Sequence, residues 1–133
     1  MPSPIHIILI VILTEVVSCV VKGLYYWRVY GRLRFWGDGG MPSGHSASIA
    51  AVITGLYVFD GFSLLFVFGF CWGVCVIWDA LNVRRQVGLQ AAFLNKVYKR
   101  KVLKEDSGHT LYEVVVGVVI GVVVALVYTA ILF

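Results

Sequence analysis

The stretch LYEVVVGVVIGVVVALVYTAILF, residues 111–133, decides the fold, because 23 residues carry a single charged side chain, Glu113, near their start. At about 1.5 Å of rise per residue such a helix is about 35 Å long, and about 20 apolar residues suffice to cross the hydrocarbon core of a bilayer. Three more apolar runs precede it. Residues 4–21 continue to an aromatic group, Tyr25, Tyr26 and Trp27, of the kind that marks a membrane interface. Residues 47–59 reach spanning length only if their helix begins near Ser43, and residues 62–78 follow the tight Asp60-Gly61 connection. The expected fold is an all-α integral membrane bundle, one membrane domain over residues 1–133, with four transmembrane helices at about 4–27, 43–59, 62–81 and 110–133.

Composition agrees with that reading. Of 133 residues 60% are hydrophobic and 14% charged, which is too apolar for a water-soluble domain of this size and excludes a disordered chain. Cys19, Cys71 and Cys75 are odd in number and sit inside apolar runs, so neither a disulfide scaffold nor a zinc cluster is expected, and they read as small packing residues. The first run lacks a basic leader and a small-residue cleavage site and contains Glu15, so it is expected to remain as a span.

All eleven basic residues fall in two stretches, Lys22 to Arg34 and Arg84 to Lys104. Flanked by hydrocarbon-like segments, they suit anionic lipid headgroups rather than nucleic acid. With four spans every Lys and Arg lies on one face, which the positive-inside rule places in the cytoplasm. Within the third loop Val87, Ala91, Leu94, Tyr98 and Val102 recur at helical spacing, which predicts an amphipathic helix over about 86–104 along the headgroups.

Each ionisable group near a membrane helix is costly unless it meets a partner or water, so the few polar clusters carry the functional information. The first is residues 39–46, GGMPSGHS, where Pro42 suits a first helical turn. Free N–H groups at such a helix start bind phosphate, although Ser43 or Ser46 could equally be a plain cap. The second holds Asp79, Asn82, Arg84 and Arg85. Paired guanidinium forks fit a tetrahedral oxyanion, and they also fit ordinary positive-inside anchors. In the third, His109 and Glu113 are four apart, so the carboxylate can hold one imidazole nitrogen, while Thr110 with Glu113 also spells a capping box. Glu15 reads as a bundle-facing carboxyl bonded to a neighbouring helix, and His6 as interfacial and inert.

All three clusters fall at one membrane face: the start of span two, the end of span three and the start of span four. Two histidines, cationic groups, helix-start amides and an orienting carboxylate are what phosphoryl transfer requires. No carboxylate cluster has metal-ligand spacing, so no metal or other cofactor is expected.

These residues resemble a family. Pro42-Ser43-Gly44-His45 and Gly108-His109-Thr110 with Glu113 look like the second and third signatures of the type 2 phosphatidic acid phosphatase and vanadium haloperoxidase superfamily. GGMPSGHSA from Gly39, Asp79 with Val83-Arg84-Arg85, Gly88, Gln90, Ala91 and Leu94-Asn95, and Leu103-Lys104-Glu105 before Gly108 resemble its divergent membrane branch. The resemblance implies that His109 is a nucleophile forming a phosphohistidine, that Glu113 orients it, that His45 is the general acid, and that Ser43 and Gly44 donate to phosphate. The first superfamily signature, a Lys, six residues and Arg-Pro, is not matched, since five residues separate Lys22 from Arg28 and no proline follows. The phosphate anchors are therefore expected to be Arg84 and Arg85, with Asp79 beside them, then Lys104, then Lys22.

The expected activity is hydrolysis of a lipid phosphate monoester or diphosphate of the phosphatidylglycerophosphate, phosphatidic acid or polyprenyl diphosphate class. A metal-dependent phosphatidyltransferase using Asp79 and Asp106, and a non-enzymatic scaffold or transporter with Glu15 as an ion site, are the alternatives. The expected partners are membrane lipids and that substrate, with no nucleic acid. Gly117 and Gly121 form a G-x-x-x-G pattern that serves packing inside the bundle or a homo-oligomer.

Overall fold

A computed structural model describes residues 4–35, 37 and 39–133. Residues 1–3, the start of the domain expected over 1–133, lie outside the described residues. The described residues form five helices and no strand: α1 (Ile5–Tyr30), α2 (Gly44–Asp60), α3 (Leu64–Leu81), α4 (Val83–Tyr98) and α5 (Leu111–Leu132). Three stretches are long and apolar enough to cross a membrane: Ile5–Tyr30, an apolar window within Leu64–Tyr98, and Leu111–Leu132. The fourth expected span, α2, has 17 residues, a length of about 26 Å.

Local chemistry sets the helix ends. α1 stops where Gly31 turns left-handed at φ 65° and returns its N–H to Trp27 O over 3.0 Å. Ser43 caps α2 by accepting from Ser46 N–H, so Pro42 lies before the cap rather than in the first helical turn as expected. Gly61 closes α2 on Tyr57 O, and Ser63 caps α3 two residues later.

α2 packs against α1, α3 and α5. Its closest approach is to α5, where a Cβ on Gly117 would meet Ser43 O at 2.4 Å and one on Gly121 would meet Ala47 O at 2.0 Å. The G-x-x-x-G face is thus spent inside the bundle. Ile10, Ala51 and Ala125, one each from α1, α2 and α5, are completely buried at the centre of this packing. Cys71 and Cys75 are exposed on α3 instead of packing inward, because Gly69, Gly73 and Ala80 form its buried face.

The helix expected over 86–104 runs from Val83 to Tyr98. It ends early because Lys99 adopts a left-handed φ of 51° and Arg100 N–H folds back on Asn95 O. Its inward face is Gly88, Ala91 and Asn95, whereas Val87, Leu94 and Tyr98 are exposed. Small residues won that face because the chain leading to α5 passes directly over it: a Cβ on Gly88 would meet Ser107 O at 2.6 Å.

Candidate active site

The segment before α5 is pinned from both sides. The Asn95 side chain accepts from Val102 N–H and Leu103 N–H at 3.0 and 2.9 Å and donates to Leu103 O and Glu105 Oε1 at 2.8 and 2.7 Å. Further on, His109 N–H donates to Ala80 O at the end of α3 over 3.1 Å. The imidazole of His109 is left 3% exposed.

Its Nδ1 lies 3.2 Å from Glu113 Oε2, one helical turn into α5. The same oxygen accepts Thr110 N–H at 3.0 Å, while Thr110 Oγ1 accepts Glu113 N–H, so the carboxylate caps the helix and holds the histidine together. With the Nδ1 proton directed at a carboxylate, Nε2 is the nitrogen with a lone pair. Burial pushes the His109 pKa below its usual 6.5; the Glu113 hydrogen bond and charge pull the other way, and Lys22 and His45 add to the lowering. The neutral imidazole is the favoured form.

A cavity of about 390 Å³ opens beside it, and both His45 and His109 line it. His45 is the second residue of α2, so it stands beside the first-turn N–H groups of Gly44 and itself, which have no acceptor within their helix. Lys104 lines the cavity from the segment before α5. α1 supplies another wall with Glu15, Ser18, Cys19 and Lys22, and Phe35, Gly37 and Pro42 complete the lining. Lys22, only 6% exposed, reaches the carbonyl oxygens of Gly37 and Gly39, each at 3.4 Å.

The other expected anchors stand elsewhere. Arg84 Nε pairs with Asp79 Oδ2 at 2.5 Å with both side chains about half exposed, and neither lines the cavity. Arg85 sits in an adjoining surface depression that His109 and Glu113 also line, though His45 does not, and there Arg34 pairs with Asp106 and lies over the Tyr26 ring. Ser43 lies beneath the cavity rather than on it: its N–H is taken by Glu113 O at 3.1 Å and its hydroxyl is 2.9 Å from that of Ser46. Gly44 and Lys104, but not Ser43, Asp79, Arg84 or Arg85, therefore share a cavity with the two histidines.

The α1 face is what sequence reasoning undervalued. Glu15, Ser18, Cys19 and Lys22 fall at i, i+3, i+4 and i+7, a spacing that puts them on one stripe of an otherwise apolar helix. As expected, Glu15 does bond to a neighbouring helix, accepting from the Ser48 hydroxyl of α2. His6 stands at the far end, 2.9 Å from Tyr128 Oη and against Phe133.

The sequence model of the divergent PAP2 family matches residues 5–124, a span that holds every residue of this cavity. The chain belongs to the divergent PAP2 family. It is also similar to the uncharacterized membrane protein YuiD of Bacillus subtilis (strain 168), with 36% identity over 100 residues. That alignment covers 59% of this chain and 63% of the relative, so the chain spans less than two thirds of YuiD's length. No solved structure matches it. Three apolar helical stretches together with that relative mark this divergent PAP2 family member as an integral membrane protein.

Proposed function

We propose that this divergent PAP2 family member is a metal-independent membrane phosphatase that releases phosphate from a lipid phosphate monoester or diphosphate through a phosphohistidine. One observation carries the reading: two imidazoles line one cavity, and one of them is fixed through Nδ1 by a carboxylate. In the first step Nε2 of His109 attacks phosphorus, the ester P–O bond breaks, and His45 gives its proton to the departing alkoxide. In the second, water attacks the phosphohistidine, His45 takes up a proton from it, and the P–N bond breaks to release phosphate. Lys22, Lys104 and the first-turn N–H groups of α2 balance charge on the equatorial oxygens.

For the fold, we read α2 as the fourth span and α4 as an amphipathic helix along the headgroups, in one membrane domain. The eleven basic residues gather toward the cavity end, which supports a site at the cytoplasmic face. The test is phosphate release from a phospholipid panel by detergent-purified protein. His109→Ala removes turnover, and His45→Ala lowers it about 10²- to 10⁴-fold while leaving a trace. Full release by His109→Ala ends the proposal. Activity abolished by a chelator and restored by Mg²⁺ would favour the phosphatidyltransferase reading instead.

A further inference from the structure

Ser18 brings to the cavity a hydroxyl that nothing among the described residues meets. It is 3% exposed and lines the cavity, and its Oγ is a buried side-chain polar atom with no hydrogen-bond partner among the described residues. The other helical serine and threonine hydroxyls all have partners: Thr14, Thr54 and Thr129 bond back to the carbonyl four residues earlier at 2.7, 2.8 and 2.9 Å, and Ser46 and Ser48 meet the side chains of Ser43 and Glu15. An orphaned hydroxyl costs free energy unless something meets it, and the cavity is where a partner can enter.

One turn away, Glu15 Oε1 accepts from Ser48, and Oε2 faces the start of α2, 3.4 Å from where a Gly44 side chain would begin. A carboxylate repels a phosphate, so between Glu15 and phosphoryl oxygens held at the α2 start the cavity calls for an intervening hydrogen-bond donor, while Lys22 and Lys104 balance the anion. An ammonium headgroup would suit Glu15 but would share the cavity with those two lysines. A neutral hydroxyl carries no such penalty: it donates to Glu15 Oε2 and accepts from Ser18 Oγ.

Resting on the phosphatase reading, we propose that Glu15 and Ser18 form a specificity subsite for a second hydroxyl on the alcohol that carries the phosphate. The substrate class is then a polyol phosphate headgroup such as a glycerol phosphate, rather than a polyprenyl diphosphate.

The test measures binding apart from turnover, using two non-hydrolysable probes of equal charge, butylphosphonate and 3,4-dihydroxybutylphosphonate, titrated calorimetrically into the detergent-purified 133-residue chain. The diol is expected to bind about tenfold tighter, the size of one hydrogen bond to a charged group. Ser18→Ala is expected to erase that difference and leave butylphosphonate affinity unchanged, whereas Glu15→Gln is expected to erase it while tightening both probes, because a like charge beside the phosphonate is gone. Ser18→Ala should melt no lower than wild type, because it removes a hydroxyl without breaking a bond. Equal binding of the two probes, binding of neither, or equal losses for both in the variants overturns the subsite. Phosphate release assayed in parallel separates the two readings. Release with equal probe binding removes the subsite alone, whereas a diol preference without release keeps the subsite and removes the hydrolytic step.

Discussion

The main-chain N–H of Ser43 donates to the main-chain carbonyl of Glu113 over 3.1 Å, and the side chain of that same Glu113 holds Nδ1 of His109. One residue thus ties the cap of the helix carrying His45 to the imidazole that faces it. The two motifs are more than sixty residues apart in sequence, yet one backbone bond and one side-chain bond, both made by Glu113 in the first turn of α5, link them.

That joint rests on two glycines, which leads to the first prediction. A methyl at Gly121 would meet Ala47 O at 2.0 Å and one at Gly117 would meet Ser43 O at 2.4 Å. Both obstacles are backbone atoms that cannot rotate away, so the helices must separate. Gly121→Ala should lower stability by about 1–3 kcal/mol, the usual cost of overpacking, seen as a lower melting temperature in detergent. Gly117→Ala presses on the cap beneath His45 and should also reduce phosphate release. Melting of Gly121→Ala at the wild-type temperature would show that α2 and α5 do not pack as described.

The cations can be ranked by where they stand. Lys22 is buried and lines the cavity, whereas Arg84 is half exposed and paired with Asp79. Lys22→Met should reduce kcat/KM for phosphate release at least about 10²-fold, as expected for a charge that meets the phosphoryl group away from bulk water. Arg84→Met should change it less than about threefold, since exposed ion pairs contribute little. The reverse order in steady-state kinetics would return the anchor to the arginine pair.

Protonation of His109 gives a pH prediction with a definite sign. Burial lowers its pKa below 6.5, against the opposing pull of Glu113, so the neutral nucleophile persists to lower pH than a free imidazole would allow. The acid limb of kcat/KM should therefore fall below pH 6.5, and Glu113→Gln should move it lower still, because the raising influence is gone. A profile with no acid limb, with chemistry shown to be rate-limiting, would contradict the role of His109 as the nucleophile.

How far these features could be read in advance depends on the length scale of the physics. Four apolar runs, the Asp60-Gly61 turn and the His109 to Glu113 spacing are local patterns, and each has a counterpart in the coordinates. The end of α4 was missed because it is set by Asn95 gripping a segment several residues downstream, which helical periodicity does not register. Guanidinium forks suit phosphate, which is why the sequence points to Arg84 and Arg85 as anchors. Sequence does not show that Asp79, five residues before Arg84, engages that guanidinium outside the cavity. Lys22 drew little weight inside an apolar run. Its partners, the carbonyls of Gly37 and Gly39, come from the loop beyond the helix end, a contact that only folding creates.

Asn95 offers the last prediction, because it separates positioning from chemistry. Its side chain makes four hydrogen bonds of 2.7–3.0 Å to the segment that delivers His109, and it lies outside the cavity. At about 0.5–1.5 kcal/mol net for each bond, Asn95→Ala should cost about 2–6 kcal/mol, concentrated in residues 99–108. Hydrogen exchange should therefore accelerate in that segment well before it does in α2 or α5. Phosphate release should fall because His109 is held at its backbone only by Ala80 O once the upstream grip is gone. Phosphonate affinity should fall less, since Lys22 and the α2 start stay in place. Unchanged exchange in residues 99–108 would mean that Asn95 does not anchor the segment, and an equal loss of binding and turnover would mean that the whole cavity collapses with it.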